Sequence, residues 1–374
     1  MKSAILGATA AVALGLAAPA VAQAPPPPPG QAQPFVLPWI SRDGSPPPPM
    51  PMPMPGAPGQ TTMMMIQGGM MPGGPSCDRA CLNQMLEDYL TALKAHDPSK
   101  LPLMPGVRFT ENNSPLNLPD GLWNTVDKIT DYRLPVLDVE DGQAGLMTTV
   151  EEHGKPAFLS LRLRVIGRRI SEIETIVLRP QANNGFGNPV AMPRRPVFYE
   201  DVPADKQLSR VQLISIGNSY FETLQQNHGV VFAPFASTCH RLENGVATTN
   251  NNTPPATGRP DPVGIKKLGC EAQFKTGYFN FVTYIRDRRP LVVDRQKGLV
   301  FMAGFFDHKG NIREETLTDG RKVDPQYDTP WTWQISEIFK VKDNKIDQVE
   351  ALVLYAPYGE TDTWSDAPKW RPAH

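Results

Sequence analysis

The chain has 374 residues, a formal net charge of −1 at pH 7 and hydrophobic residues at 40% of its positions. This length exceeds what one compact core usually needs and predicts two units. The near-zero charge argues against nucleic acid as a partner, because a protein that binds the phosphate backbone needs a basic surface.

Residues 1–22 have the pattern of a signal peptide. Lys2 supplies a positive start, Ala4 to Leu16 form an apolar run, and Ala20-Val21-Ala22 offer the small residues that signal peptidase requires. The apolar run is too short to cross about 30 Å of hydrocarbon. The sequence therefore predicts a periplasmic or secreted protein that leaves the membrane after cleavage.

Residues 23–75 form a leader rich in proline and methionine. Such a composition cannot bury enough apolar area to offset ordering, so we expect disorder. Met50, Met52 and Met54 alternate with proline, and thioethers are ligands suited to Cu(I). A simple tether and a copper-handling segment both remain open. Elsewhere no metal site is predicted, because no Cys/His spacing resembles a zinc site.

The predicted export indicates that the four cysteines form disulfides, because disulfides persist in oxidising compartments. Cys239 and Cys270 are expected to form a bridge around the Pro/Asn-rich run from Asn250 to Pro262. Cys77 and Cys81 lie four apart at a predicted helix start, where regular geometry separates the β-carbons too widely for a relaxed bridge. They can pair only if that turn departs from the helix.

Two segments share one helical pattern. Ser76 is a plausible N-cap, and Leu82, Met85, Tyr89 and Leu93 follow at helical spacing. Leu213, Ile216, Tyr220 and Leu224 repeat that spacing at a constant offset. The match predicts two equivalent helices.

Further matches predict an internal duplication. Glu111-Asn112 aligns with Glu243-Asn244, and each unit closes on a hairpin, from Leu163 to Glu174 in the first and from Phe339 to Glu350 in the second. The predicted units are residues 76–180 and 207–374, joined by a linker at 181–206. In each unit helices precede a run of strands, an order typical of α+β folds.

Particular motifs resemble a known family. The motifs are Phe109 to Asn112 with Asp120 to Trp123, Arg241 to Gly245, Glu337 to Val341, and Pro357-Tyr358-Gly359 with Trp364. They resemble an uncharacterised domain family of secreted bacterial and fungal proteins, related to the SnoaL-like (ketosteroid-isomerase-like, nuclear-transport-factor-like) superfamily. The resemblance implies two tandem SnoaL-like cone domains, each with helices packed on a curved antiparallel sheet.

The resemblance also implies a range of functions. Relatives of this fold include isomerases, cyclases, dehydratases and lyases that need no cofactor, and some remove formaldehyde from lignin-derived aromatic dimers. We therefore expect a cofactor-independent acid–base enzyme acting on a small hydrophobic, aromatic molecule, as a monomer or homodimer. A non-catalytic binding protein with the same cavity is the alternative, since a fold does not determine function.

Candidate catalytic residues are polar side chains in otherwise apolar strands. His240, Arg241 and Glu243 lie beside Cys239, and they could supply a proton-transferring imidazole, an oxyanion partner and a base. The structural alternative is that Glu-Asn closes a loop in both units. Asp307 and His308 end an apolar strand, either at a cavity mouth or in a plain turn.

Aromatic residues are candidate ligand-binding walls, although packing alone can explain them. In the second unit they are Tyr278, Tyr284, Trp331 and Trp333, and the weaker set of the first unit is Glu111, Trp123 and Tyr132. No phosphate loop, dinucleotide fingerprint or serine nucleophile motif is recognisable in the sequence.

Overall fold

The computed structural model describes residues 77–180, 187–253, 261, 264–325 and 327–365. The predicted signal peptide (1–22), the leader (23–75) and the proposed N-cap Ser76 lie outside the described residues. So do the first part of the predicted linker and the last nine residues of the chain.

The described chain consists mainly of β-strands. Its α-helices are α1 (Arg79–Lys94), α2 (Arg210–Gln226) and α3 (Cys270–Lys275). The strands are β1 (Leu103–Glu111), β2 (Ser114–Leu116), β3 (Val126–Asp138), β4 (Gln143–Glu152), β5 (Lys155–Ile166), β6 (Arg169–Leu178), β7 (Phe235–Glu243), β8 (Val246–Ala247), β9 (Tyr284–Asp294), β10 (Leu299–His308), β11 (Glu315–Thr316), β12 (Lys322–Val323), β13 (Trp331–Lys342) and β14 (Lys345–Ala356). Short 3-10 helices connect them, including Gly121–Asn124 and Tyr278–Phe281.

Two six-stranded sheets have the same strand order. The first sheet runs β2-β1-β6-β5-β4-β3, and the second runs β8-β7-β14-β13-β10-β9. Most pairs are antiparallel, but β1 is parallel to β6 and β7 is parallel to β14. Both sheets are therefore mixed. The shared order shows that the two halves of the chain have equivalent topology.

The two sheets pack face to face. Between them lies a core that combines residues of both, with Phe158 and Ile176 from the first sheet and Phe301 and Leu352 from the second. Gly145 lies at a close approach of the two sheets, because a β-carbon there would meet the Phe301 ring at 2.6 Å. The outer face of the first sheet is covered by α1 and that of the second by α2. Burial on both faces explains why strands such as β10 are apolar almost throughout.

The predicted α+β fold, with two tandem SnoaL-like cone domains, is wrong. The described residues are mostly strand, the sheets are mixed rather than antiparallel, and they bury their inner faces against each other. The sequence signals were local helical and hairpin periodicities, which do not report how one sheet packs on another.

Local chemistry explains where the helices begin. Asp78 caps α1 by accepting a hydrogen bond from the Cys81 amide at 2.9 Å. In α2 the Ser209 and Gln212 side chains form a capping box. Because Cys77 precedes the first helical residue, its backbone is not bound to helix geometry, and it forms a disulfide with Cys81 in the first turn of α1.

A second disulfide joins Cys239 of β7 to Cys270 at the start of α3. No cysteine in the described residues is free. Two bridges are consistent with an extracellular or secreted protein. Within the described ranges, no helix is long and apolar enough to cross a membrane.

Reciprocal ion pairs lock the halves together. Arg79, the first residue of α1, binds Asp294 at the end of β9 through two contacts of 2.8 and 2.9 Å. Arg210, the first residue of α2, binds Asp138 at the end of β3. Each half thus places a helix-start arginine on the edge-strand aspartate of the other half. Both aspartates are buried.

The C-terminal segment crosses from the second sheet to the first. The Trp364 ring contacts the guanidinium groups of Arg108 and Arg162, whose centres are 3.9 and 4.7 Å from the ring centroid. Its indole Nε1 donates to Thr110 at 2.9 Å. Asp362 binds Arg289 at 2.8 Å. The segment therefore fastens the two sheets.

We expect Trp364→Ala to lower the free energy of unfolding by about 2 kcal/mol, because it removes the stacked ring and one hydrogen bond. Trp364→Phe keeps a ring and should lose only about 1 kcal/mol. Urea unfolding with the disulfides intact measures both values. Wild-type stability in the alanine variant would contradict a fastening role.

Candidate functional site

A cavity of about 560 Å³ lies between the second sheet, α2, α3 and the Tyr278–Phe281 turn. Its wall is mainly apolar and aromatic, and includes Tyr220, Tyr278, Phe279, Phe281, Phe306, Tyr327, Trp333 and Tyr355. A size of this order suits a small organic ligand. One arginine and two glutamates of the strands, Arg241, Glu243 and Glu337, interrupt the apolar wall, and Asp261 and Lys266 also line the cavity.

Strand register places the two glutamates in one row across neighbouring strands. Glu337 of β13 pairs with Ala351 of β14, which in turn pairs with Glu243 of β7. Side chains directly opposite one another share a face of the sheet, so both glutamates point into the cavity. Two strand spacings separate their backbones by about 10 Å. The small Ala351 side chain leaves the space between them open.

Arg241 lies on the same face as Glu243, two residues earlier on β7. Its guanidinium donates to Glu243 and, at 2.7 Å, to Gln273 of α3. The Phe274 and Phe279 rings lie 5.2 and 5.5 Å from its centre. The Cys239–Cys270 disulfide joins the same strand to the same helix. Arg241 is therefore held rigidly, with its charge balanced by Glu243.

Glu337 is the carboxyl group with the most altered acidity in the cavity. Burial raises its pKa to about 8, the Arg241 charge opposes that rise, and the Glu243 charge adds to it. An interaction with the Tyr220 hydroxyl lowers the pKa slightly. Its Oε2 atom is buried and has no hydrogen-bond partner in the described part of the chain. At neutral pH, Glu337 is therefore a protonated acid facing the cavity.

The structure separates Asp307 from His308. Neighbouring residues of a strand point to opposite faces, so Asp307 leaves the cavity side and binds Arg286 at 2.9 Å and Thr332 at 2.6 Å. Asp307 is thus part of a buried structural network. His308 points to the same side as Phe306, toward the aromatic end of the cavity.

His308 is enclosed by aromatic rings. It stacks on Trp331 with ring centroids 4.2 Å apart and meets the Trp333 ring edge-on at 4.4 Å. Burial lowers the pKa of His308 to about 3, and the backbone near Phe306 and Trp331 offsets only part of this effect. The imidazole is therefore neutral at physiological pH and cannot act as an ordinary proton shuttle.

Acid should destabilise the protein through His308. Because its folded pKa is depressed, the unfolded chain binds an extra proton between about pH 6.5 and 3, and stability is lost as pH falls through that window. Between pH 6.5 and 4.5 we expect the free energy of unfolding of His308→Phe to fall by about 2 kcal/mol less than that of wild type.

Urea unfolding at a series of pH values measures this difference. His240→Phe is the matched control, because His240 is exposed on the other face of β7. Parallel pH dependence in wild type and His308→Phe would contradict the prediction.

His240 lies outside the cavity wall. Alternation along β7 points it away from Arg241 and Glu243, and its Nδ1 lies 3.3 Å from the Asn250 side chain. Asn244, next to Glu243, pairs its side-chain amide with the backbone of Val353 on β14. Asn112 does the same with Val177 on β6. Asparagine of the repeated Glu-Asn motif therefore closes a strand end in both halves.

The aromatic candidates lie in four different places. Tyr278 and Trp333 line the cavity, whereas Trp331 lies behind it against His308. Tyr284 begins β9 opposite Asp307 and is not among the lining residues. Tyr132 lies between the sheets and donates to Glu350.

The first half has no equivalent of the charged row. Glu111 matches Glu243, but the residues that face it across the sheet are Thr175 and then Leu161, where the second half has Ala351 and Glu337. Glu111 accepts the Leu122 amide at 2.7 Å and Arg179 at 3.1 Å. Trp123 is fully buried against Tyr89. The first half therefore uses these positions for packing.

The sequence reasoning missed Glu337, Tyr220 and Gln273 as site residues. A signal for Glu337 was present, because Trp331, Trp333, Ile335 and Phe339 alternate as inward-facing apolar residues and Glu337 interrupts them. Gln273 carried no such signal. Among the described residues, no group of three or more His, Cys, Asp or Glu side chains is arranged to hold a metal ion.

A search for similar proteins gives a partial match. The profile of a family described as "Domain of unknown function (DUF8021)" matches residues 206–353, the part of the chain that forms the second sheet and the cavity. No curated protein matches the chain significantly.

Three solved structures show limited similarity. A de novo designed protein with a curved β-sheet is 19% identical with a TM-score of 0.22, over 28% of this chain and 89% of its own. AclR from Streptomyces galilaeus, provisionally assigned as a hydroxylase, is 15% identical with a TM-score of 0.21, over 27% and 81%. A cystatin-like protein of unknown function from Methylobium petroleophilum PM1 is 18% identical with a TM-score of 0.24, over 30% and 86%. The family match to the cavity-forming half is thus the comparison most relevant to the site.

Proposed function

We propose that the second half is a cofactor-independent acid–base enzyme, a lyase, dehydratase or isomerase, acting on a small apolar and aromatic molecule in the periplasm or outside the cell. The observation that carries the proposal is Glu337. It is a buried carboxylic acid in the wall of an apolar cavity, with its pKa raised to about 8. Such an acid can give a proton to a bound ligand at neutral pH.

Glu243 is the complementary base in this proposal. It faces Glu337 across Ala351 and is held by Arg241 and by the Thr248 hydroxyl at 3.2 Å. In a dehydration, Glu243 removes a proton from carbon and the electron pair forms the double bond. The hydroxyl leaves as water with the proton of Glu337. Exchange with solvent then restores both carboxyl groups.

The first half has a supporting role in this proposal. We infer that residues 76–180 and 207–374 are copies of one ancestral unit, because their sheets have one strand order. The first copy lacks the acid, since Leu161 occupies the place of Glu337. Its buried contacts with the second sheet hold that sheet in shape.

Incubation of the protein with a pooled library of small aromatic and polyketide-like compounds tests the proposal, with mass spectrometry as the readout. Consumption of one compound by wild type, lost in Ala351→Leu because the added side chain fills the space between the carboxyl groups, supports it. A compound that is retained but never consumed would instead support a non-catalytic binding protein. If no compound were consumed and none were retained, the cavity would not be a ligand site.

A further inference from the structure

The aromatic end of the cavity carries hydrogen-bond donors of its own. Trp333 lies on the same face of β13 as Glu337 and four residues before it. A strand rises about 3.3 Å per residue, which separates the two positions by about 13 Å. Ile335 lies between them and lines the cavity. The cavity therefore has a polar group at each end of an apolar stretch.

The donors at this end have no partners within the described chain. The indole Nε1 atoms of Trp331 and Trp333 are buried without a hydrogen bond to any described residue, and the neutral His308 ring packs against both indoles. The Trp331 and Trp333 centroids are 6.0 Å apart, and each lies within 4.4 Å of His308. Buried donors without an acceptor are costly, so a group of them indicates that another molecule supplies one.

Charge indicates the nature of that molecule. His308 is neutral because of its burial, and indole nitrogen is an uncharged donor. At the other end, Arg241 is balanced by Glu243. Neither of these two ends has an unbalanced charge, and the other charged lining residues, Asp261 and Lys266, bring one charge of each sign. The structure therefore favours a neutral ligand with acceptor oxygens.

We propose that Trp333, with His308 and Trp331 behind it, forms a second hydrogen-bonding subsite for a neutral oxygen of the ligand. Trp333 is the member of the group that lines the cavity, and its N–H is the donor that contacts the ligand. This inference rests on the proposed function and specifies the shape of the ligand. The ligand is an elongated, uncharged aromatic molecule with one oxygen at Glu337 and one at Trp333. A span of about 13 Å requires two rings rather than one.

Three uncharged probes test this subsite by equilibrium dialysis against the full-length protein. They are 4,4′-dihydroxybiphenyl (two rings, two oxygens), 4-hydroxybiphenyl (two rings, one oxygen) and hydroquinone (one ring, two oxygens). We expect the first to bind about tenfold more tightly than either of the others, the gain of one well-placed hydrogen bond.

Trp333→Phe keeps an aromatic wall and removes the indole N–H. It should reduce the preference for 4,4′-dihydroxybiphenyl over 4-hydroxybiphenyl to less than about threefold, because the second acceptor then has no donor. Trp123→Phe is the matched control, since Trp123 also has an unpartnered Nε1 but lies in the core of the first half. It should leave the preference unchanged.

The outcomes separate this inference from the proposed function. Equal affinity of wild type for both biphenyls, or an unchanged preference in Trp333→Phe, overturns the subsite and leaves the cavity as a binding site. Failure of all three probes to bind overturns both. A preference that disappears in Trp333→Phe and persists in Trp123→Phe supports the subsite.

Discussion

Glu337→Gln should lower the turnover of the compound that the wild-type protein consumes by at least about 100-fold. Glutamine keeps the size and the polar character of the protonated side chain, but it cannot give up a proton. Since Glu337 is protonated at neutral pH, the exchange is nearly isosteric and the fold should persist. Turnover is measured by mass spectrometry and folding by urea unfolding on the same preparations.

The pH profile gives an independent check on the same residue. Because the proposed chemistry needs the acid form of Glu337, wild-type turnover should fall as pH rises through about 8. The pH dependence of stability should also report Glu337, but in the direction opposite to that expected for His308. The folded pKa is raised, so its stabilising effect is complete below the unfolded value of about 4.5 and is lost as pH rises to about 8.

Glu315→Gln is the matched control for Glu337→Gln. Burial also raises the pKa of Glu315 to about 8, with the backbone near Asn280 and Phe281 opposing that rise. Glu315 is not among the residues lining the cavity. Its replacement should leave turnover within about twofold. An equal loss in the two variants would show that Glu337 acts through general stability rather than as an acid.

Asp294→Ala should lower the free energy of unfolding by about 3 kcal/mol. Asp294 is fully buried and accepts two hydrogen bonds from Arg79, one from the Leu137 amide at 3.2 Å and one from the Lys297 amide at 3.1 Å. Alanine leaves an arginine and two backbone donors without their acceptor. Arg79 is partly exposed, so solvent limits the loss to the lower part of the range for buried pairs.

Glu140→Ala is the matched control for Asp294→Ala. Glu140 also bonds across the halves, to Arg295 at 2.8 Å, but both side chains are more than 40% exposed. Exposed pairs contribute little, so this variant should change stability by less than about 1 kcal/mol. Similar small losses in Asp294→Ala and Glu140→Ala would show that the buried aspartate does not hold the halves together.

Part of the candidate site could be predicted from the sequence, because the alternation along a strand shows which of its residues share a face of the sheet. Arg241 and Glu243, two apart on β7, share the cavity face, and His240 between them must face away. The same alternation separates Asp307 from His308. What the pattern could not tell is which face is concave, and so the sequence proposed all five residues together. Only the arrangement of α2 and α3 over one face distinguishes them.

The sequence by itself determined the elements with strong local periodicity. The two long helices, the repeated Glu-Asn motif and the terminal hairpins are encoded by neighbours a few residues apart, in the spacing of apolar side chains and in turn residues. Local spacing is a property of the chain before it folds, so it can be read in advance.

Only the tertiary structure decided how these elements combine. The row Glu337–Ala351–Glu243 joins β13 and β14 to β7, and its ends are far apart in the chain. The parallel pairing of β7 with β14, and the packing of one sheet on the other, depend on long-range burial of apolar faces, which local periodicity does not specify. That burial raises the pKa of Glu337. The alternation along β13 marks Glu337 in the sequence, but the altered acidity that gives the site its chemistry is a product of packing.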